Sequence, residues 1–297
     1  MKSTRPDAYR ICAIIVTHFP DAGLPERVDS IARQVSAVLI IDNGSPGSSN
    51  ITALRRLRSE SPVEVVLNRD NLGVATALNQ GLRWALDNRY HWALMLDQDT
   101  VIEGGIVAAF QAAYDQHPTR ERIAVIGSNY WDPARQRELY RPTRCEVFVR
   151  RATVITSGSL LSMAAHETIG PFRDDFFIDH VDDEYCLRSR AKGFDVVLAC
   201  PRVMVHVLGR SRARNLVLFK TWTSNHPASR WYYMTRNHVV LIREYFLKEP
   251  KWVIRTLAHK AARILLMVLF EEDRSAKCRL LVRGVLDGLK INVSRDG

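Results

Sequence analysis

The chain has 297 residues, 46% of them apolar, enough for one large α/β core with additions or for two small domains, which excludes wholesale disorder. Its five cysteines (Cys12, Cys145, Cys186, Cys200, Cys278) are odd in number and lack C-x-x-C spacing, which argues for a reducing compartment and against a disulfide framework or zinc knuckle. The net charge of +10 is uneven: residues 1–200 hold 23 Lys and Arg against 25 Asp and Glu, residues 201–297 hold 19 against 7, so the last third is expected to meet phosphate, a lipid surface or nucleic acid.

No secretory leader is read in the first ten residues, and the apolar run that follows is too short to span a bilayer. Residues 11–16 predict a buried strand ending at Thr17-His18. A helix is predicted over 25–35, with Val28, Ile31, Ala32 and Val35 on its apolar face. A second strand, 37–41, ends in Asp42-Asn43-Gly44-Ser45, and 51–59 predicts a basic helix. A third strand, 63–67, ends at Asn68, and a helix over 73–86 starts behind Asn71 and Gly73. The fourth strand, Ala93 to Leu96, runs into Asp97-Gln98-Asp99, and the residues from 103 to 116 look helical. Four alternations of strand and helix with short joints predict a parallel sheet with right-handed crossovers. Thr17, Asp42, Asn68, Asn71, Asp97 and Asp99 then gather at the strand ends, the edge where such sheets bind ligands.

In an extended chain Asp97 and Asp99 face one side and Gln98 the other. Two carboxylates there suit a hard cation such as Mg²⁺ or Mn²⁺, although an acidic pair also caps a following helix. Asp42 could accept hydrogen bonds from a ribose or a base, but Asp-Asn-Gly-Ser taken alone is turn chemistry. The chain has no G-x-G-x-x-G after its first strand and no G-x-x-x-x-G-K-[ST], which disfavours a dinucleotide dehydrogenase and a P-loop NTPase.

From residue 123 the pattern changes to short strand-like runs: 123–126, 146–149, 153–155 and 160–163. Then Phe176-Phe177-Ile178-Asp179-His180-Val181-Asp182-Asp183-Glu184 leads into a predicted helix over 181–192, stopped by Gly193. Four carboxylates within six residues need a cation or a helix N-terminus, or else form the acidic first turn of a surface helix. His206 closes a short apolar run and is followed by Arg210, Arg212 and Arg214, either a solvated loop or a basic loop over a pyrophosphate with an imidazole ligand beside it. Within 225–247, Arg230, Tyr233 and Asn237 share one helix face, as do Tyr232 and Arg236. Residues 251–270 predict an amphipathic helix with an apolar stripe of Trp252, Val253, Leu257, Ala261, Ile264, Leu265, Val268 and Leu269. It carries Lys251, Arg255, Lys260 and Arg263 and suits either an anionic leaflet or packing on the catalytic domain.

Together these stretches resemble glycosyltransferase family 2, and within it the bacterial L-rhamnosyltransferases, over nearly the whole chain. The resemblance is carried by Val16-Thr17-His18-Phe19, Asp42-Asn43-Gly44, Asn68 to Ala75 with Asn79-Gln80-Gly81, and Leu96-Asp97-Gln98-Asp99. It continues in Ser157-Gly158, Phe177-Ile178-Asp179-His180-Val181-Asp182 through Arg188, His206 through Gly209, and Arg230-Trp231-Tyr232-Tyr233 through Arg236-Asn237. It implies a GT-A fold, a Rossmann-like mixed sheet flanked by helices, with a C-terminal helical extension. The expected domains are a catalytic region 1–225, made of a nucleotide-binding half 1–122 and an acceptor half 123–225, and a basic helical region 226–297.

The resemblance further implies a dTDP-L-rhamnose donor, a divalent metal (Mg²⁺ or Mn²⁺) and inversion at the anomeric carbon. Thr17 and Asp42 would hold the nucleoside, Asn71 would help seat it, Asp97 would approach the sugar-nucleotide, and Arg210 the diphosphate. Asp99 would hold the metal, His206 would be a further metal or diphosphate contact, and Asp182 would be the general base. Ser157, Gly158, Asp179, Arg230, Tyr233 and Arg236 would position donor and acceptor. Relatives usually read Glu-Asp-x-Asp where this chain has Val181-Asp182-Asp183-Glu184, which leaves Asp183 and Asp179 as rivals for the base.

The expected acceptor is a lipid-linked or surface-polysaccharide glycan, with the enzyme peripheral on the cytoplasmic face of a bacterial plasma membrane. A rhamnosyltransferase of rhamnolipid synthesis and a catalytically silent sugar-nucleotide- or lipid-binding protein are the alternatives. Nucleic acid is not an expected partner, since no helix-turn-helix, zinc-finger or RNP signature is present.

Overall fold

Runs of apolar residues four to six long, punctuated by Gly, Asp and Asn, build the centre of a sheet. The structure is a computed structural model that describes residues 5–7, 10–47, 51, 62–141, 146–206, 212–215, 220–223 and 225–293. It divides into two units, Met1–Phe177 with Val181–His206, and Ile178–His180 with Val207–Gly297.

In the first unit β1 (Ile11–Thr17), β2 (Ala37–Asn43), β3 (Val63–Asn68) and β4 (Trp92–Asp97) lie parallel in the order β3-β2-β1-β4. Every residue of β2 is buried, as expected of a strand covered on both faces, whereas β3 is the edge and exposes Glu64, Val66 and Leu67. The helices α1 (Leu24–Ala32), α2 (Val74–Asp87) and α3 (Ile106–Gln116) follow the strands as predicted. The helix expected over 51–59 lies, apart from Ile51, outside the described residues.

After β4 the sheet turns mixed. It adds β5 (Val101–Ile102), β6 (Ile123–Asp132), β7 (Arg137–Glu138), β8 (Phe148–Arg150), β9 (Ser159–Ser162) and β10 (Asp195–Val205). Short β9 is inserted antiparallel between β4 and β6, and β6 then pairs parallel with β10. The described order is β3-β2-β1-β4-β9-β6-β10-β5, with β7 on β6 and β8 on β10. Residues 153–155 form no strand: buried Val154 packs against Gly127 of β6 and covers the sheet instead of joining it. Two helices complete the unit, α4 (Met163–Ile169), whose first turn is capped by the Ser162 hydroxyl accepting from Ala165 N at 3.3 Å, and α5 (Val181–Ala191).

The second unit has a hairpin of β11 (Arg212–Asn215) and β12 (Lys220–Thr223), then α6 (Ala228–Tyr245), α7 (Pro250–Phe270) and α8 (Arg274–Lys290). Helix α8 lies against α6 through Gly284 and Gly288: a Cβ on Gly284 would stand 2.6 Å from the Tyr232 carbonyl oxygen, one on Gly288 2.7 Å from that of Arg236. Buried Lys277 donates to Glu271 Oε2 at 3.0 Å and Asn225 Oδ1 at 2.9 Å, tying the approach to α6 to the α7–α8 corner. Among the described residues no helix is long and apolar enough to cross a membrane.

Candidate active site

The acidic pair follows a strand buried up to Leu96. After Asp97 the chain turns, with Thr100 N donating to Asp97 O at 3.2 Å, so Asp97 and Asp99 meet across a turn and not along an extended strand. Gln98 points away: its Oε1 accepts from His18 N at 2.7 Å and its Nε2 donates to His18 O at 3.2 Å, while its carbonyl takes Arg27 Nε at 2.8 Å. Strand β5 then pairs antiparallel with the end of β10, Val101 opposite Val205, which delivers His206 to the turn. His206 N donates to Trp131 O at 3.1 Å, and its ring is buried.

One ligand atom from each of Asp97, Asp99 and His206 lies within 4.8 Å of the others. His206 Nε2 stands 3.9 Å from Asp97 Oδ2, and its Nδ1 stands 3.1 Å from Thr100 Oγ1. Thr100 Oγ1 bonds in turn to Ser157 Oγ, which accepts from Asp97 N at 3.1 Å. With Nδ1 carrying the ring proton toward Thr100, the Nε2 lone pair is left facing the carboxylates, the tautomer a metal ligand needs. Two carboxylates and an imidazole fit Mg²⁺ or Mn²⁺, and a cation held there would offer positive charge to a phosphate.

Thr17 and Asp42, neighbours across β1 and β2, are both buried. Thr17 Oγ1 donates to Asp42 Oδ1 at 3.0 Å, and Ser45 N donates to Oδ2 at 2.9 Å, so the turn chemistry read at Asp42 is present and is locked to Thr17. Asn71 Oδ1 accepts from Asn43 Nδ2 at 2.9 Å and from Gly73 N at 3.0 Å. Gly73 has φ +86°, and a Cβ there would stand 2.6 Å from the Phe177 ring. Gly158 donates from N to Met95 O at 2.8 Å and accepts from Ser128 Oγ at 2.6 Å, so Ser157-Gly158 lie directly under the acidic turn.

Of the clustered carboxylates, Glu184 is buried and bound by Arg188 at 2.8 and 2.9 Å, a structural pair. Asp182 sits in the first turn of α5, where its Oδ1 accepts from Asp183 N at 2.9 Å. Tyr130 stands beside the ligand cluster. Its ring meets that of His206 edge-on at 5.7 Å, and burial, then the carboxylates of Asp132 and, more weakly, Asp182, push its phenol up to about 12 against the pull of Arg135 and Arg137. Asp182 thus lies within electrostatic reach of a side chain that touches His206.

In the second unit Arg230 grips Asp179, with Nε and a terminal nitrogen each 3.0 Å from its oxygens. Asn237 Nδ2 donates to the carbonyls of Ile178 and Asp179, both at 2.9 Å. Asp179 and His180 have φ of +64° and +60°, a strained pair that these bonds hold. The Arg236 guanidinium lies 5.1 Å over the Tyr233 ring and donates to Asn237 Oδ1 at 2.9 Å. Arg210 lies outside the described residues. Thr100 and Tyr130 were absent from the expected set. Thr100 directly follows the acidic pair and could have been suspected as its support, but Tyr130 reaches His206 only through the β6–β10 pairing.

A mixed sheet with an acidic pair at its rim, a histidine returned to that pair and helices on its faces is the GT-A nucleotide-sugar fold. Solved structures share it: S. aureus TarS (TM-score 0.57, 14% identity, 89% of this chain and 44% of that one) and GalNAc-T7 with UDP, GalNAc and Mn²⁺ (0.59, 13%, 83% and 50%). The chain thus spans half or less of those two proteins, but 90% of TarS 1–349 in complex with UDP (TM-score 0.56, 13% identity, 93% of this chain). The family model for glycosyl transferase family 2 matches residues 12–173, so the chain belongs to that family and is a glycosyltransferase. It is 24% identical to the dTDP-rhamnosyl transferase RfbF of Shigella flexneri, over 94% of this chain and 95% of that one.

Proposed function

We propose that the chain transfers L-rhamnose from dTDP-L-rhamnose, with inversion, to a hydroxyl of a glycan or glycolipid acceptor at an anionic membrane surface. The observation that carries this reading is the convergence of Asp97, Asp99 and His206 at the sheet rim, in a chain similar over 94% of its length to a dTDP-rhamnosyl transferase. In this reading Thr17 and Asp42 frame the nucleoside pocket, Asn71 shapes its wall, and Arg210 meets the diphosphate. Asp97 faces the sugar-nucleotide, and Asp99 and His206 hold the cation. When bound, that cation supplies positive charge to the diphosphate, for which Mg²⁺ and Mn²⁺ are both suited.

Asp182 accepts the proton of the acceptor hydroxyl as its oxygen bonds to the anomeric carbon, and the bond from that carbon to the diphosphate oxygen breaks to release dTDP. A positioned base of this kind contributes about 10²–10⁴ in rate. Asp179, engaged by Arg230, has its oxygens committed and acts with Ser157, Gly158, Tyr233 and Arg236 in positioning. Residues 226–297 form a basic helical region appended to the catalytic residues 1–225.

A donor screen tests the reading. Nucleotide sugars are supplied with Mn²⁺ and a bacterial lipid extract, and the products are weighed by mass spectrometry. Addition of one deoxyhexose from dTDP-L-rhamnose is expected. Transfer from a UDP-sugar alone would overturn the donor assignment, and binding of dTDP-L-rhamnose without turnover would favour a silent binding protein.

A further inference from the structure

The apolar stripe of the amphipathic helix is mostly exposed and not packed on the protein. Of the stripe running from Trp252 to Leu269, only Trp252 and Val253 are buried, together with Met267. Most other apolar residues face outward, with Ile264 and Leu266 half-buried: Ile254 is 64% exposed, Leu265 59% and Leu269 52%. Ile254, Leu257, Ala258, Ala261, Leu265 and Val268 recur every three or four residues, so they form one continuous exposed face. Their helix is 21 residues long, about 31 Å at 1.5 Å per residue. A second apolar row, Val282, Leu286 and Leu289, is exposed on α8.

The charge pattern says what covers this face. Helix α7 has no acidic residue, and exposed Lys251 and Arg255 border the apolar stripe. Arg279, Arg283 and Lys290 stand exposed among the apolar residues of α8. Lys260 and Arg263 are turned inward, donating to Met234 O at 2.9 Å and lying over the Trp231 ring. A second copy would bring basic rim against basic rim, whereas an anionic leaflet takes the apolar row among its acyl chains and the rim among its headgroups.

We infer that the exposed face of α7, extended by the row on α8, is the surface by which this chain lies on an anionic bilayer leaflet. The inference deepens the membrane part of the proposed function by naming the face, and it is independent of which sugar is transferred.

The full chain is sedimented with vesicles of phosphatidylcholine alone and of phosphatidylcholine containing phosphatidylglycerol. Partition to the anionic vesicles at least about tenfold stronger is expected. The double variant Ile254→Ser/Leu265→Ser is expected to lose about tenfold or more of that partition, while Val66→Ser on the exposed edge strand keeps it. Both variants are expected to hydrolyse dTDP-L-rhamnose in lipid-free buffer at the wild-type rate. Wild-type protein left in the supernatant, equal binding to both vesicles, or a double variant that sediments like wild type would overturn the inference. So would a wild-type dimer, seen by analytical ultracentrifugation, that the double variant dissolves. Vesicle binding without any turnover of dTDP-L-rhamnose would sink the rhamnosyl reading and leave the lipid-facing surface standing.

Discussion

Thr100 Oγ1 stands 3.1 Å from Nδ1 of His206, across 106 residues of sequence. The contact fixes the ring so that its other nitrogen faces Asp97, and Ser157 extends the same chain of hydrogen bonds to the backbone of Asp97. Partners of this kind typically set metal affinity by 10–100-fold. Thr100→Val is therefore expected to weaken Mn²⁺ binding by about tenfold with Asp97, Asp99 and His206 untouched. Calorimetric titration of Mn²⁺ checks this, and unchanged affinity would remove Thr100 from the site.

Asp182 and Asp183 occupy the same helical turn, and Asp182 is among the charges that raise the phenol of Tyr130, whose ring meets His206. Asp182→Asn is expected to bind dTDP-L-rhamnose normally and to lose about 10²–10⁴ in transfer rate. Asp183→Asn should lose far less. Turnover of Asp182→Asn near the wild-type rate, with Asp183→Asn inactive, would move the base by one residue.

The Arg230–Asp179 pair is two-pronged and partly buried, with side-chain exposures of 36% and 16%, and it holds two residues at positive φ. Removing the guanidinium leaves a mostly enclosed carboxylate, but solvent reaches one side. Arg230→Ala is expected to cost about 1–2 kcal/mol after discounting for that access. Urea denaturation checks the figure, and Arg230→Lys should recover only part of it, because an ammonium cannot grip both oxygens in one plane.

Buried His166, bonded to the Tyr185 hydroxyl at 3.1 Å, is held neutral: burial, then the charge of Arg188, lower its pKa to about 4. The unfolded chain takes up this proton near pH 6.5 and the folded chain does not until about pH 4, so stability from this group is present above pH 6.5 and is lost as pH falls toward 4. The loss is on the order of 3 kcal/mol. Urea midpoints at pH 7.5 and pH 5 should differ in that direction, and His166→Gln should show a shallower dependence.

Much of this arrangement is legible in the residues because local pattern carries it. The alternation that ends β1, β2 and β4 in polar residues places Thr17, Asp42 and Asp97 on one edge, and the acidic residues from 182 onward announce the start of α5. What escapes is set by pairing over long separations. The insertion of β9 between β4 and β6 depends on contacts some 30 to 70 residues apart, and nothing in Ser159–Ser162 itself encodes it. Residues 153–155 have strand-forming composition yet lie over Gly127, because a missing side chain there makes room for Val154. Helix α7 shows the same limit: its periodicity is plain, but which part of the apolar arc is buried depends on where α6 offers Met234 and Trp231 to Lys260 and Arg263.

The central claim is that Asp99 and His206, beside Asp97, would hold one divalent ion on which transfer depends. The most direct test is the initial rate of transfer from dTDP-L-rhamnose by chelator-treated protein, before and after Mn²⁺ is restored, in wild type and in Asp99→Asn. The account predicts that chelation abolishes the wild-type rate, that Mn²⁺ restores it, and that Asp99→Asn stays inactive throughout. A wild-type rate that survives chelation, or an Asp99→Asn protein that Mn²⁺ activates fully, would contradict it.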